Sequence, residues 1–237
     1  MENWMSHLLP RSIVLLVTLL AACGDETPAG SDGGNVGTGP YLPLAVGATW
    51  TYQVTTPGQP TATKTSTVEV SEDVGGMKAG TVALRVRTEK TDGVTISWQV
   101  IGADETVVRH REKSFELDGT TLKSDVFYNP QKLRVDGTAA HTAMGATWVD
   151  AYTEISIDPL TMAMTTNPKT ETWTVEAVAE EITVPAGTFT CLRLHRSGDA
   201  NDSVKRYWFA RGIGKIREES LGTGGGQVEA LASYTLP

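Results

Sequence analysis

The sequence predicts an all-β fold, and three observations carry that reading. Short runs rich in Thr and Val alternate apolar and polar residues, as half-buried strands do. Clusters of Gly, Asp and Asn, such as "EDVGG", "KTDG", "SGDAND" and "GTGGG", separate the runs at hairpin intervals. Only "VEAVAEE" (175–181) has helical propensity, and its flanking Thr and Trp and its alternation favour a strand. The expected architecture is a curved antiparallel sheet, half-barrel-like or a sandwich, built from two pseudo-repeats. The alternative is two small β-domains joined near residues 129–144.

Taken from the N-terminus, the first element is a leader. Residues 1–22 carry one basic residue, Arg11, then the apolar run "SIVLLVTLL" and the ending "LAAC". The run is too short to span a bilayer, which takes about 20 apolar residues, and it reads as a secretory signal. Leu20-Ala21-Ala22-Cys23 resembles the lipobox of bacterial lipoproteins. That resemblance implies cleavage after Ala22 and acylation of Cys23, with the membrane as a partner through the lipid anchor. Acyl chains on one residue hold firmly, at about 0.8 kcal/mol per buried CH₂. Gly24 after the cysteine implies, by the same resemblance, delivery to the outer membrane, with Asp25 one place later. Residues 24–40 hold six Gly, two Pro, three acids and no base. Such a stretch cannot bury enough to order itself. Residues 23–40 are therefore the lipidated cysteine and a flexible linker.

The body spans 41–237. It carries 24 Asp and Glu against 19 Lys and Arg. It has no basic stripe, so nucleic acid is not an expected partner. If Cys23 is acylated, Cys191 has no disulfide partner. Strands are expected at 49–56, 65–73, 81–89, 94–102 and 106–113. A second set is expected at 147–157, 170–184, 188–196, 204–210 and 214–220, followed by the β-run "QVEALASYTL".

The two sets resemble each other in order. "GATW" occurs at 47–50 and 145–148, "TVE" at 67–69 and 174–176, and "AGT" at 79–81 and 186–188. "LR" recurs at 84–85 and 192–193, and "RE" at 111–112 and 217–218. "WQVIG" (98–102) answers "WFARG" (208–212). Six ordered matches, with drift that loop insertions would produce, suggest pseudo-repeats at about 41–136 and 137–237. Trp50 matches Trp148, and Trp98 matches Trp208. Large aromatics at equivalent strand positions are core markers first and candidate ligand-facing residues second.

Little else suggests chemistry. Cys191 and His195 share a strand face but stand about 13 Å apart at 3.3 Å per residue, too far for a nucleophile and base. Aligning "AGTVALRVR" with "AGTFTCLRLHR" predicts a β-bulge beside Cys191. His110, His141 and His195 follow no metal-ligand spacing. Asp199, Asn201 and Asp202 lie in a turn without the frame of a calcium loop. Glu180–Glu181 and Glu218–Glu219 are sequence neighbours whose side chains point to opposite strand faces. No nucleophile elbow, phosphate loop or dinucleotide fingerprint is present. The expected protein is not an enzyme and takes no cofactor.

The motifs "YLPLAVGATWTY" (41–52), "VPAGTF" (184–189) and "YWFARGIG" (207–214) resemble those of uncharacterised lipoproteins of deltaproteobacterial type. The resemblance implies a β-rich, membrane-tethered envelope protein without an activity. The general strand pattern is similar to that of half-barrel lipoprotein carriers. The expected function is a non-catalytic binding or structural module of the cell envelope, with an envelope protein as partner. The alternative is a periplasmic carrier of an apolar ligand or lipid.

Overall fold

The structure is a computed structural model that describes residues 37–198, 204–221 and 226–237. The expected leader, Cys23, most of the linker and the two turns at 199–203 and 222–225 lie outside the described residues.

Twelve strands follow one another along the chain. They are β1 (Thr49–Thr55), β2 (Ala62–Asp73), β3 (Val82–Lys90), β4 (Gly93–Ile101), β5 (Val107–Phe115) and β6 (Leu122–Val135), then β7 (Thr147–Ile157), β8 (Met164–Val184), β9 (Gly187–Ser197), β10 (Lys205–Ala210), β11 (Gly214–Ser220) and β12 (Val228–Thr235). Each pairs antiparallel with the next, and β12 returns to pair with β1. The seven-residue closing ladder runs from Thr49↔Thr235 to Thr55↔Val228.

The result is a closed up-and-down barrel, not the half-barrel or sandwich the sequence suggested. The correction has a simple cause. An even number of strands brings the last antiparallel to the first, and pairing them removes both exposed edges. β6 was not recognised as a strand. It runs through residues 129–135, where the two-domain alternative placed a junction. Its pattern is broken by Pro130, which can occupy the strand because the ladder to β7 stops at Asn129↔Thr153. "VEAVAEE" is strand, within β8.

The two ends of the barrel differ. One end is filled. Residues 37–48 fold over it, with Gly212 N–H donating to the Pro40 carbonyl at 2.9 Å. The Arg211 guanidinium lies 4.3 Å over the Tyr41 ring and donates to the Gly39 carbonyl. Trp50, Val68, Val107, Val135, Phe209 and Leu231 pack beneath this strap. The hairpin between β8 and β9 also bends over, and Ala186 N–H reaches the Leu231 carbonyl at 3.0 Å. Eight strands make a barrel that side chains just fill. Twelve leave space, and here it remains toward the opposite end.

The two sets of six strands share local geometry. Gly47 and Gly145 both adopt left-handed backbone, at φ 94° and 76°. In the first set Gly47 N–H donates to the Val68 carbonyl and Val68 N–H to Ala48; in the second Gly145 donates to Val175 and Val175 to Ala146. On the outer face Trp98 Nε1 donates to Glu72 at 2.9 Å, and Trp208 Nε1 to Glu180 at 3.1 Å. Arg111 caps Trp98 at 5.2 Å, and Arg217 caps Trp208 at 5.5 Å. Arg85 bridges Glu69 and Glu72, as Arg193 bridges Glu176 and Glu180. These ion pairs stand where a lipid-spanning barrel needs an apolar band. The outer wall is therefore built for water.

Candidate ligand cavity

A cavity of about 330 Å³ lies inside the barrel. Its floor is apolar: Leu42 and Leu44 of the N-terminal strap, with Trp50 and Phe209. Its walls are ionic. Seven cationic side chains line it, namely Lys64, Lys90, Arg109, Arg134, Arg196, Lys205 and Lys215, against the carboxylates Glu112, Glu218 and Glu229. The cavity shares Lys64, Lys90, Gln227 and Glu229 with a second hollow of about 530 Å³, bordered by the β1–β2 and β3–β4 turns. The lumen thus leads to the end opposite the strap.

Two bulges aim charge inward. Residues i and i+3 of a regular strand face opposite sides. In β5, Arg109 pairs with Gln99 and Arg111 with Trp98, so His110 is an extra residue. Arg109 and Glu112 can then both face the lumen, where they form an ion pair. β11 repeats the device: Lys215 pairs with Phe209 and Arg217 with Trp208, leaving Ile216 extra. Lys215 and Glu218 both face in and pair. A third bulge holds Arg134. Val107 pairs with Val135 and Val108 with Leu133, so Arg134 stands between them without a ladder partner.

The charges form linked groups. Lys64 contacts Glu229 at 2.7 Å, Glu229 contacts Lys215 at 2.6 Å, and Lys215 also pairs with Glu218, which contacts Lys205 at 2.5 Å. Lys215 lies between two carboxylates. Burial opposes its charge, but Glu218 and Glu229 outweigh burial and raise its pKa. Among the described carboxylates Lys64 pairs with Glu229 alone. Burial, reinforced by repulsion from Lys215, pulls its pKa down to about 8. Burial works against the Glu229 carboxylate, yet Lys215 and Lys64 hold its pKa near about 2. Behind Arg196, Glu171 meets Lys132 at 3.0 Å, Arg196 at 3.2 Å and the Tyr152 hydroxyl at 2.9 Å.

Arg134 differs from the other two lining arginines. It makes no hydrogen bond or ion pair to any described residue, and its Nε is buried without a protein partner. Burial lowers its pKa and Arg109 adds repulsion, while Tyr207, Glu218 and Glu112 act in the opposite direction. The Gln99 Oε1 and the Nε atoms of Arg109 and Arg196 also lack protein partners.

The residues singled out from sequence scatter. Trp50 lines the cavity and donates from Nε1 to the Ile213 carbonyl at 2.6 Å. Trp148 is sandwiched between His141 at 4.2 Å and Trp173 at 6.2 Å, and does not line the cavity. Trp98 and Trp208 are buried on the outer face, because their strand neighbours Ser97, Gln99, Tyr207 and Phe209 face the lumen. Cys191 is 1% exposed, and burial with nearby Glu180 pushes its thiol up to about 12. The bulge expected in its own strand is absent: β9 continues unbroken, and the extra residues belong to β8, whose register shifts between Val175 and Glu180. His195 lies across from Thr174 and Arg206, His110 is the β5 bulge residue, and His141 meets Asp136 at 2.5 Å. Glu218 faces the lumen while Glu219 meets Arg217 outside.

The lumen residues were missed because the inner face is polar. Alternation finds a core when one strand face is apolar. In "TISWQV" of β4, Ser97 and Gln99 point inward and Trp98 outward, the reverse of what polarity suggests.

No family model matches the chain, and no curated protein matches it. Two solved structures are similar in fold. A conjectured exported protein of YMCC-like fold from Bacteroides fragilis superposes with a TM-score of 0.51 at 12% identity, covering 84% of this chain and 100% of that one. A conjectured lipoprotein from Parabacteroides distasonis gives a TM-score of 0.42 at 12% identity, with the same coverage. The first likeness shows an all-β fold of YMCC-like type and nothing of function.

Proposed function

We propose that this chain is a lipid-anchored, non-catalytic protein of the cell envelope, and that its barrel is a binding module for a small ligand. The observation that carries the binding role is the cavity: closed by an apolar floor, lined by ionic groups, and continuous with a hollow at the far end. Ligand sites are concave places where a few polar groups converge, commonly about 300–1,000 Å³, and barrel mouths are among them. The anchor rests on Cys23 within "LAAC" and on the conjectured export of the Bacteroides protein of similar fold. Gly24 favours the outer membrane. The matched Gly47 and Gly145 turns and the matched Trp–Glu–Arg groups support descent of the barrel from two copies of one six-strand unit.

The carrier of an apolar ligand is the weaker reading, since the walls are ionic. A partner-binding role has one observation of its own. The β7–β8 turn presents Leu160, 92% exposed, with Met162 and Met164 also exposed.

Two experiments test the proposal. Cells fed an alkyne-labelled palmitate should label the wild-type chain, and Cys23→Ser should abolish the label. Residues 24–237, produced in soluble form, should carry a small-molecule mass in native mass spectrometry or acquire one from a metabolite panel. No bound mass under either condition contradicts the binding role.

A further inference from the structure

We propose that the cavity binds a small molecule bearing an oxyanion group, a carboxylate or a phosphate, and that Arg134 is its anchor. This rests on the binding role above and gives it a ligand class. Every other cation of the inner wall except Lys90 has a carboxylate within reach: Arg109 has Glu112, Arg196 has Glu171, and the three lysines share Glu218 and Glu229. Arg134 has none. A guanidinium held inside a barrel without a carboxylate at ion-pair distance has its charge only partly compensated. Its planar fork matches a carboxylate or phosphate in two parallel hydrogen bonds.

The position fits as well as the charge. β6 ends at Val135 beside the apolar floor, so Arg134 sits deep, while Lys90 ends β3 at the opposite end. Lys64 and Arg109 lie between these depths on β2 and β5. The cavity therefore carries positive charge along its length, in a body whose acids outnumber its bases. Low-dielectric walls that carry an excess of one sign of charge concentrate counter-ions. The orphaned Gln99 Oε1 can accept from a ligand hydroxyl. Leu42 and Leu44 would contact a short apolar remainder.

The test is isothermal titration and thermal melting of residues 24–237 with inorganic phosphate, glycerol 3-phosphate, citrate and succinate. Sodium chloride at matched ionic strength and glycerol are the controls. The expected result is saturable binding and a raised melting temperature with at least one oxyanion and with neither control. The phosphate and carboxylate arms tell which group is preferred. Arg134→Met should weaken that binding at least about tenfold, the loss of one bidentate charge-assisted contact. It should also leave the unliganded melting temperature unchanged or raised, because Arg134 makes no direct hydrogen bond or ion pair to a described residue that would be lost. Arg85→Met on the outer wall should leave binding unchanged. Equal stabilisation by chloride, or full binding by Arg134→Met, overturns the proposal. If the protein carries a neutral ligand and ignores every oxyanion, the anion assignment fails while the binding role stands. If nothing binds at all, both fail.

Discussion

At the residue scale, environment decides what each reactive group can do. Cys191 looked chemical because it is the body's single thiol. Its side chain is enclosed and its pKa is pushed up to about 12, so it holds a proton at neutral pH and lacks the thiolate that reacts. Native residues 24–237, whose single thiol is Cys191, should be inert to an aromatic disulfide reagent. One thiol should titrate after unfolding in guanidinium, and rapid labelling of the native form would contradict the burial. Glu171 is the opposite case. It is 3% exposed and serves Lys132, Arg196 and Tyr152 together. Glu171→Gln leaves Arg196 without a carboxylate partner and Lys132 with only Glu154 at 4.0 Å, and should cost about 3–5 kcal/mol in urea unfolding. A loss under about 1 kcal/mol would show that water already satisfies the group. Neither role is readable from sequence, since "TETWTV" gives no hint of which face of Glu171 is enclosed.

At the element scale, bulges explain both the chemistry of the lumen and the limits of the sequence reading. Strand positions were legible: β7 and β11 match the expected bounds of 147–157 and 214–220. Facing was not, because one inserted residue at His110, Ile216 or Arg134 reverses the alternation downstream. The bulge expected in the Cys191 strand is not there: β9 runs without an inserted residue, and the extra residues lie in its partner β8, which the alignment of the two repeats did not address. The paired charges that the bulges aim inward should govern acid stability. Glu229 has a folded pKa near about 2 against an ordinary 4.5, so it contributes stability above pH 4.5 that is lost as the pH falls toward 2. Glu218 is shifted in the same direction by Lys215 and Lys205. Glu229→Gln should therefore be less stable than wild type at pH 7 by about 3–5 kcal/mol, and the gap should close between pH 4.5 and 2. A gap that stays constant over that range would show that the carboxylate is not the source.

At the scale of the whole molecule, closure is the feature the sequence withheld. Local pattern identifies strands but not which strand the last one meets. The seven-pair ladder between β1 and β12 decides between an open sheet and a barrel. Ending the chain at Gln227 removes β12 and leaves β1 and β11 as bare edges. That form should aggregate at concentrations where the full body stays monomeric in light scattering; a monomer of native-like circular dichroism would show that closure is dispensable. Closure also makes the lumen. An open sheet would expose Lys64, Lys215 and Glu229 to bulk water, where such pairs contribute little. Inside the barrel they become the wall of a cavity. The central claim is that this cavity receives an oxyanion at Arg134. Crystals of residues 24–237 soaked in tungstate give the most direct answer. The account predicts an anomalous peak in the lumen within about 4 Å of the Arg134 guanidinium, absent from Arg134→Met. A lumen that holds only water while tungstate collects on the outer wall would contradict it.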